Sequence, residues 1–334
     1  MTKIELFKPL YGEEEIAAFT EAIKSNWWTL GPRTAKFEKE FAAFLGCEHV
    51  VALNSCTAAL DLALKLLGVT DGDEVLVPAL TFISTAHAVV YNRATPIFCD
   101  IDPDTLLLSI PDVKKKITHK TKAVMAVHYG GRCIDIAALR EAIGPNIFIV
   151  EDCAHACGSK SSGSYAGTMG DIGCFSFHAV KNLATGDGGA ITTNDRSLAT
   201  RAKKLRWLGI DKGTWDRTDV DKSYWWEYQV DEIGYKYHMN DLTASLASVQ
   251  LTRLSKANER RAEIAAIYSS QLGSIGEIRL PIWLQSTAHD INSWHLYPVR
   301  TQNRDGLSMH LKGCGITTGV HYKPIHLYKC YGYQ

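Results

Sequence analysis

The stretch Ser176-Phe-His-Ala-Val-Lys181-Asn-Leu-Ala-Thr-Gly-Asp-Gly-Gly189 places a lysine just past a run that reads as a buried strand, with a glycine-rich turn behind it. Held against apolar strands, an ammonium loses solvation, its pKa falls, and the neutral amine can form a Schiff base with a carbonyl. Gly186, Gly188 and Gly189 let backbone approach a ligand closely. A surface lysine on a loop is the ordinary alternative, and these neighbours argue against it. A second stretch, Val150-Glu-Asp152-Cys-Ala-His155-Ala-Cys-Gly158, puts Asp152 at the carboxyl end of a strand, where open α/β sheets bind ligands. A buried carboxylate there can keep a pyridine-type nitrogen protonated and turn the ring into an electron sink. A helix cap or a satisfied core aspartate is its competing reading. Cys153, His155 and Cys157 alternate along one strand face, but a fourth ligand and Cys-x-x-Cys spacing are missing. No metal is expected.

Asn54-Ser55-Cys56-Thr57-Ala58-Ala59-Leu60 follows a strand with small residues that open a helix, and free N–H groups with hydroxyls at such a terminus form a phosphate cradle. Alone the signal is weak, because Ser and Thr cap helices generally. Neither Gly-x-Gly-x-x-Gly nor a Gly-Lys-Ser/Thr P-loop is present. Pro78-Ala-Leu-Thr-Phe82 sets an aromatic just past another strand end, where Phe82 either stacks on a flat ring or fills core. An amine, a carboxylate, a phosphate cradle and a stacking aromatic together match pyridoxal 5′-phosphate (PLP).

The elements that must position these residues follow from apolar periodicity. Strands are expected at 50–53, 74–78, 95–100, 123–127, 147–150, 172–177 and 190–193. Helices are expected at 58–67, 82–91, 111–117, 136–143, from 195 to about 207, and from 240 to about 272. Nearly continuous apolar strands alternating with helices imply an α/β fold with a mainly parallel sheet covered on both faces. Residues 211–238 crowd aromatic and charged side chains without a clean period, which reads as a long functional loop or interface segment. After the long helix a smaller α+β unit is expected, with a strand at 294–300 and a helix at 305–314. That gives a PLP-binding large domain over 1–240 and a smaller, shortened C-terminal domain over 241–334. The 334 residues balance 36 Lys and Arg against 36 Asp and Glu, which argues against nucleic acid as a partner. No apolar run reaches membrane-spanning length, no secretory signal is visible, and nine scattered cysteines suit reduced thiols in a cytoplasm.

The ordered motifs carry a resemblance to the DegT–StrS group of nucleotide-sugar aminotransferases along nearly the whole chain. They include Gly31-Pro32 with Phe37-Glu38, the Asn54–Leu60 and Pro78–Phe82 stretches, Val127-His-Tyr-Gly-Gly131, and Glu151-Asp-Cys-Ala-His155. Further matches are 176–189, Gly234-Tyr-Lys-Tyr237 and Gly319-Val-His321-Tyr-Lys-Pro-Ile-His326. The resemblance implies a fold-type I PLP-dependent transferase that works as a homodimer with shared sites. It further implies that Lys181 binds the cofactor, Asp152 pairs with its ring nitrogen, and His155 lies near its phenolic oxygen. Phe82 would stack on the ring, while Ser176 with Ser55, Cys56 and Thr57 would hold the phosphate. Many members carry Asn where this chain has Lys236, in a loop that reaches the partner's site; a lysine there would serve the phosphate as a cation. Thr29 and His321 would touch substrate. Members usually continue for several tens of residues past the point where this chain stops.

The expected reaction is transfer of an amino group from glutamate to a nucleotide-linked 4-keto-sugar, for amino-sugar or surface polysaccharide synthesis. Ser176-Phe-His-Ala-Val-Lys181, Gly234-Tyr-Lys-Tyr237 and Ser293-Trp-His-Leu make the likeness greatest to the enzymes of UDP-4-amino-4-deoxy-L-arabinose synthesis. A PLP-dependent sugar dehydratase would have His in place of Lys181, and a non-catalytic PLP-binding regulator would tolerate loss of Lys181 or Asp152. Both residues are present. An NAD(P) oxidoreductase lacks its glycine fingerprint here.

Overall fold

The computed structural model describes residues 3–212, 215, 227–281 and 289–332. Two helices open the chain, α1 (Glu13–Lys24) and α2 (Pro32–Leu45). Then follow β1 (His49–Leu53), α3 (Cys56–Leu66), β2 (Glu74–Pro78), α4 (Ser84–Tyr91), β3 (Thr95–Cys99), α5 (Ile110–Lys116), β4 (Thr121–Val127), α6 (Ile136–Ile143) and β5 (Phe148–Asp152). A small hairpin, β6 (Lys160–Ser161) and β7 (Ser164–Tyr165), precedes β8 (Ile172–Ser176), β9 (Gly189–Thr193) and α7 (Arg196–Leu205). The chain continues through α8 (Asp241–Leu272), β10 (Ile278–Arg279), β11 (Arg300–Thr301) and α9 (Arg304–Gly313).

Seven strands form one sheet in the order β1-β9-β8-β5-β4-β2-β3. Only β9 runs against its neighbours; β8, β5, β4, β2 and β3 pair in parallel, and β1, antiparallel to β9, shares their direction. The consequence is functional. The carboxyl ends of β1, β2, β5 and β8 and the amino end of β9 meet along one edge of the sheet. Alternation fixes which side chains face which layer: Val51 and Leu53 pack with α3, α4 and α7, while Val50 and Ala52 pack with α2 and α8. Ile149, Val124 and Leu76 meet α5 and α6 on that second face. Both faces are therefore buried, as the apolar strands require.

Caps set the helix ends. Ser55 accepts from the Ala58 N–H at 3.1 Å and starts α3, an interaction of about 1 kcal/mol. Asp241, the first residue of α8, accepts from the Arg33 and Thr34 N–H groups and from the Thr34 hydroxyl, so α8 caps α2. The strand expected over 294–300 does not form, and only Arg300 and Thr301 pair, as β11 with β10. Trp294 takes a positive φ of 48°, which breaks the extended run. The Ser293 and Leu296 N–H groups donate instead to the Gly131 and Gly130 carbonyls. Of the irregular 211–238 segment, Tyr224, Trp225 and Trp226 lie outside the described residues.

Candidate active site

Asp152 ends β5 and is buried. Its Oδ1 accepts from the Ala154 N–H at 3.1 Å and its Oδ2 from the Thr85 hydroxyl at 2.9 Å, which itself contacts the Thr81 hydroxyl at 2.9 Å. Burial raises the carboxyl's pKa against those hydrogen bonds and the nearby Lys181. Lys181 sits on the turn after β8, its N–H donating to the His178 carbonyl at 2.8 Å. Burial lowers the pKa of its ammonium, opposed by Cys56 and Asp152. These groups come from three elements. The strand ends bring them together.

Cys56 is buried in the first turn of α3, and burial pushes its thiol well up, with Asp152 and Cys174 adding to the effect. The Cys56 and Thr57 N–H groups belong to the unsatisfied donors of a helix start. A side chain on Gly189 would meet the Ser55 carbonyl carbon at 2.4 Å and the Cys56 nitrogen at 2.6 Å, so only glycine lets β9 lie against that turn. Ser176 pairs with Gly189 across β8 and β9, which brings its hydroxyl to the same corner. Phe82 is 55% exposed at the carboxyl end of β2 and meets the Tyr322 ring at 5.9 Å.

His155 lies just beyond Asp152. Its Nδ1 accepts from the Gly130 N–H at 3.2 Å, which leaves the proton on Nε2, directed at the Tyr322 hydroxyl at 2.9 Å. Burial, then Lys181, His295 and His321, drives the His155 pKa well below the ordinary imidazole value. His321 is half-buried, its pKa lowered by burial and by Lys181. The Tyr129 hydroxyl donates to the His321 carbonyl, tying that late segment to the loop after β4.

Thr29 and Lys236 stand apart from this group within the chain. The Thr29 hydroxyl contacts His238 Nε2 at 3.3 Å. The Lys236 ammonium lies 3.4 Å from the centre of the Trp207 ring. The Lys236 backbone does run beside the phosphate corner, since Asn54 donates its side-chain amide to the Lys236 carbonyl and its N–H to the Tyr237 carbonyl. His128, Glu151 and Cys153 form a separate buried group. Hydrogen bonds from His128, Gly167, Met169 and Gly170 fill both Glu151 oxygens, and His128 Nδ1 accepts from the Ile134 N–H. These bonds brace the loops around β5.

The donor set fits PLP: a desolvated amine, a buried carboxylate, a helix start faced by a serine hydroxyl, and an exposed aromatic at one sheet edge. A sequence profile of the DegT/DnrJ/EryC1/StrS aminotransferase family matches residues 9–334. The chain belongs to this family. Among its DegT/DnrJ/EryC1/StrS relatives, the spore coat polysaccharide biosynthesis protein SpsC of Bacillus subtilis is 42% identical over 334 residues, covering 98% of this chain and 85% of its own. The dTDP-4-dehydro-2,3,6-trideoxy-D-glucose 4-aminotransferase of Saccharopolyspora spinosa is 38% identical over 326 residues, covering 97% and 85%. Spr1654 of Streptococcus pneumoniae, solved in its PLP-form, superposes with a TM-score of 0.89 at 31% identity, covering 99% and 87%. The DegT-family chain is thus a PLP-dependent sugar aminotransferase.

Three site residues have no signal in spacing. Tyr322 and His295 arrive from far along the chain, and Asn182 looks like any polar neighbour of a lysine. The His295 ring lies against the His155 ring, tilted by 32°, with ring centres 4.4 Å apart. Only the unmatched polarity of Asn182 and His295 within apolar surroundings hints at their burial.

Proposed function

We propose that this aminotransferase moves the amino group of glutamate onto a nucleotide-linked 4-keto-sugar, with Lys181 as its cofactor lysine and general base. The observation that carries the reading is the meeting of desolvated Lys181 with Asp152 and the first turn of α3 at the sheet's carboxyl edge. Supporting the 4-keto-sugar is the 4-aminotransferase activity named for the Saccharopolyspora relative. The arabinose-type sugar rests on the Ser176-Phe-His-Ala-Val-Lys181, Gly234-Tyr-Lys-Tyr237 and Ser293-Trp-His-Leu motifs alone.

When bound, PLP supplies an electron sink and the carbon that carries the amino group. Asp152 would keep the ring nitrogen protonated, and that cation would in turn restore the carboxylate against burial. His155, with its proton on Nε2, would donate to the phenolic oxygen, and Phe82 would cover the ring. The α3 N–H groups, with Ser55, Thr57 and Ser176, hold the phosphate, while the Cys56 thiol stays neutral. Within each half-reaction the Lys181 amine would carry one proton between the substrate carbon and the cofactor carbon that bears the nitrogen, acting first as base and then as acid. His321 and Thr29 face the sugar nucleotide. A homodimer would bring Lys236 from a second copy to the phosphate, and exposed Phe7, Leu10, Tyr11 and Trp28 supply apolar surface for such a contact. All nine cysteines are free, in keeping with a cytoplasmic site of action.

The test is colour and substrate. The purified protein with PLP should be yellow, borohydride should bleach it, and peptide mapping should place the reduced cofactor on Lys181. A panel of UDP-, GDP- and dTDP-linked 4-keto-sugars with glutamate should yield one amino-sugar product. A label on another lysine, or no product from any 4-keto-sugar, overturns the reading.

A further inference from the structure

Asn182 follows Lys181 and is buried. Its Nδ2 donates to Asn258 Oδ1 and to the Ser293 carbonyl, each at 2.7 Å, so its Oδ1 must be the acceptor facing His295 Nδ1 at 3.2 Å. That geometry places a proton on His295 Nδ1, and burial, which holds the ring's pKa well below the ordinary imidazole value, favours its neutral form. Asn258 is itself anchored, donating to the Cys157 carbonyl at 3.0 Å. Ser293 locks the other side: its hydroxyl donates to the His155 carbonyl at 2.9 Å and its N–H to the Ser159 hydroxyl at 3.1 Å. One hydrogen-bonded unit therefore joins the Lys181 turn, the His155 loop, α8 and the segment after it. Inside the unit the His295 ring lies on the His155 ring at 4.4 Å and 32°.

We propose that Asn182 and His295 are positioning residues for the aminotransferase reaction. The saturated Asn182 amide orients His295, His295 sets the plane of His155, and the same amide holds the adjoining Lys181 in line. The inference rests on Lys181 being the cofactor lysine, a reading whose failure shows separately. The charged and titratable groups around Lys181 are Cys56 from α3, Asp152 from β5, His155 from the following loop, and His295 and His321 from the later segments.

The experiment compares Asn182→Ala, Asn182→Asp, His295→Phe and the double variant Asn182→Ala/His295→Phe. Because small misplacements of reacting groups cost large factors in rate, each of Asn182→Ala and His295→Phe should lower kcat about thirtyfold with KM held within about threefold. Two residues acting as one unit should give a double variant no slower than either single one. Asn182→Asp replaces the amide that donates to Asn258 and Ser293 with an acid on the residue next to Lys181, so Lys181 should hold its proton to a pH about one unit higher. That shift is read on cofactor-free protein, from the pH dependence of amine acylation at Lys181. It is read again from the pH midpoint of the yellow band after PLP loading. Losses that multiply in the double variant overturn the proposal. So do unmoved acylation and colour profiles with kcat within about twofold, whatever happens to thermal stability. If acylation and borohydride mark a lysine other than 181, the cofactor assignment falls first, and this inference with it.

Discussion

Lys181 is held between opposed influences: burial disfavours its charge, while Cys56 and Asp152 favour it, and burial prevails. A lysine poised this way releases its proton more readily than an exposed one and can attack a carbonyl. Lys181→Ala should abolish amino transfer while PLP is still bound non-covalently through the helix start and the serines; near-normal turnover in that variant would remove Lys181 from the chemistry. Asp152→Asn should fold, because the Thr85 hydroxyl can turn and accept from the new amide while donating to Thr81. It should still bind the cofactor to Lys181, yet lose about three orders of magnitude in kcat, since a neutral amide cannot hold the ring nitrogen protonated. Steady-state kinetics beside the absorption spectrum decide the matter, and unchanged kinetics would leave Asp152 a structural cap. Both residues were legible in the sequence because each lies within a few positions of a strong strand. Tyr322 was not. It reaches His155 from a segment with no regular element of its own, and no local pattern carries contacts of that length.

The phosphate corner is made where β9 begins and α3 begins. A methyl at Gly189 would press on Ser55 and Cys56 backbone atoms, which have no flexible end to swing aside. Gly189→Ala should therefore displace the first turn of α3 and weaken PLP binding more than tenfold, about 1.4 kcal/mol or greater. Titration of cofactor-free protein with PLP reads this directly, and an unchanged dissociation constant would detach Gly189 from the cradle. Apart from 294–300, the expected strands and helices from residue 50 onward correspond to observed elements within a few residues, because apolar strands buried on both faces leave an unbroken hydrophobic signal. The strand expected at 294–300 went wrong for a physical reason. His295 lies against His155, Leu296 packs on the cluster that holds Tyr129, and Gly130 and Gly131 take the hydrogen bonds that a neighbouring strand would have taken.

For the molecule as a whole, the proposed partner contribution of Lys236 separates two kinds of dimer. Lys236→Glu should weaken PLP binding, and Lys181→Ala should be inactive. Co-expressed, they should recover part of the wild-type activity, because one site of each mixed dimer joins an intact Lys181 to an intact Lys236 of the other chain. If Lys236 serves only its own chain, every mixed site keeps one defect and no activity returns. A different consequence follows from the histidines already placed: the folded protein refuses protons that its unfolded chain would accept. Burial is the leading cause for His155, His295, His321 and His238, and it brings His238 down to about 4 from an ordinary 6.5. Above that ordinary value both states are neutral there and folding is indifferent to pH. As pH falls through it, only the unfolded chain becomes charged, so unfolding takes up protons and stability drops with acidity. Asp152 and Asp61, with pKa values raised by burial, work in the opposite sense by keeping a proton in the fold. Denaturant melts should show stability falling as pH drops from about 7.5 to 5.5, and a flat profile would mean these rings are not held neutral. The pocket that keeps an amine ready for chemistry makes the same protein acid-labile.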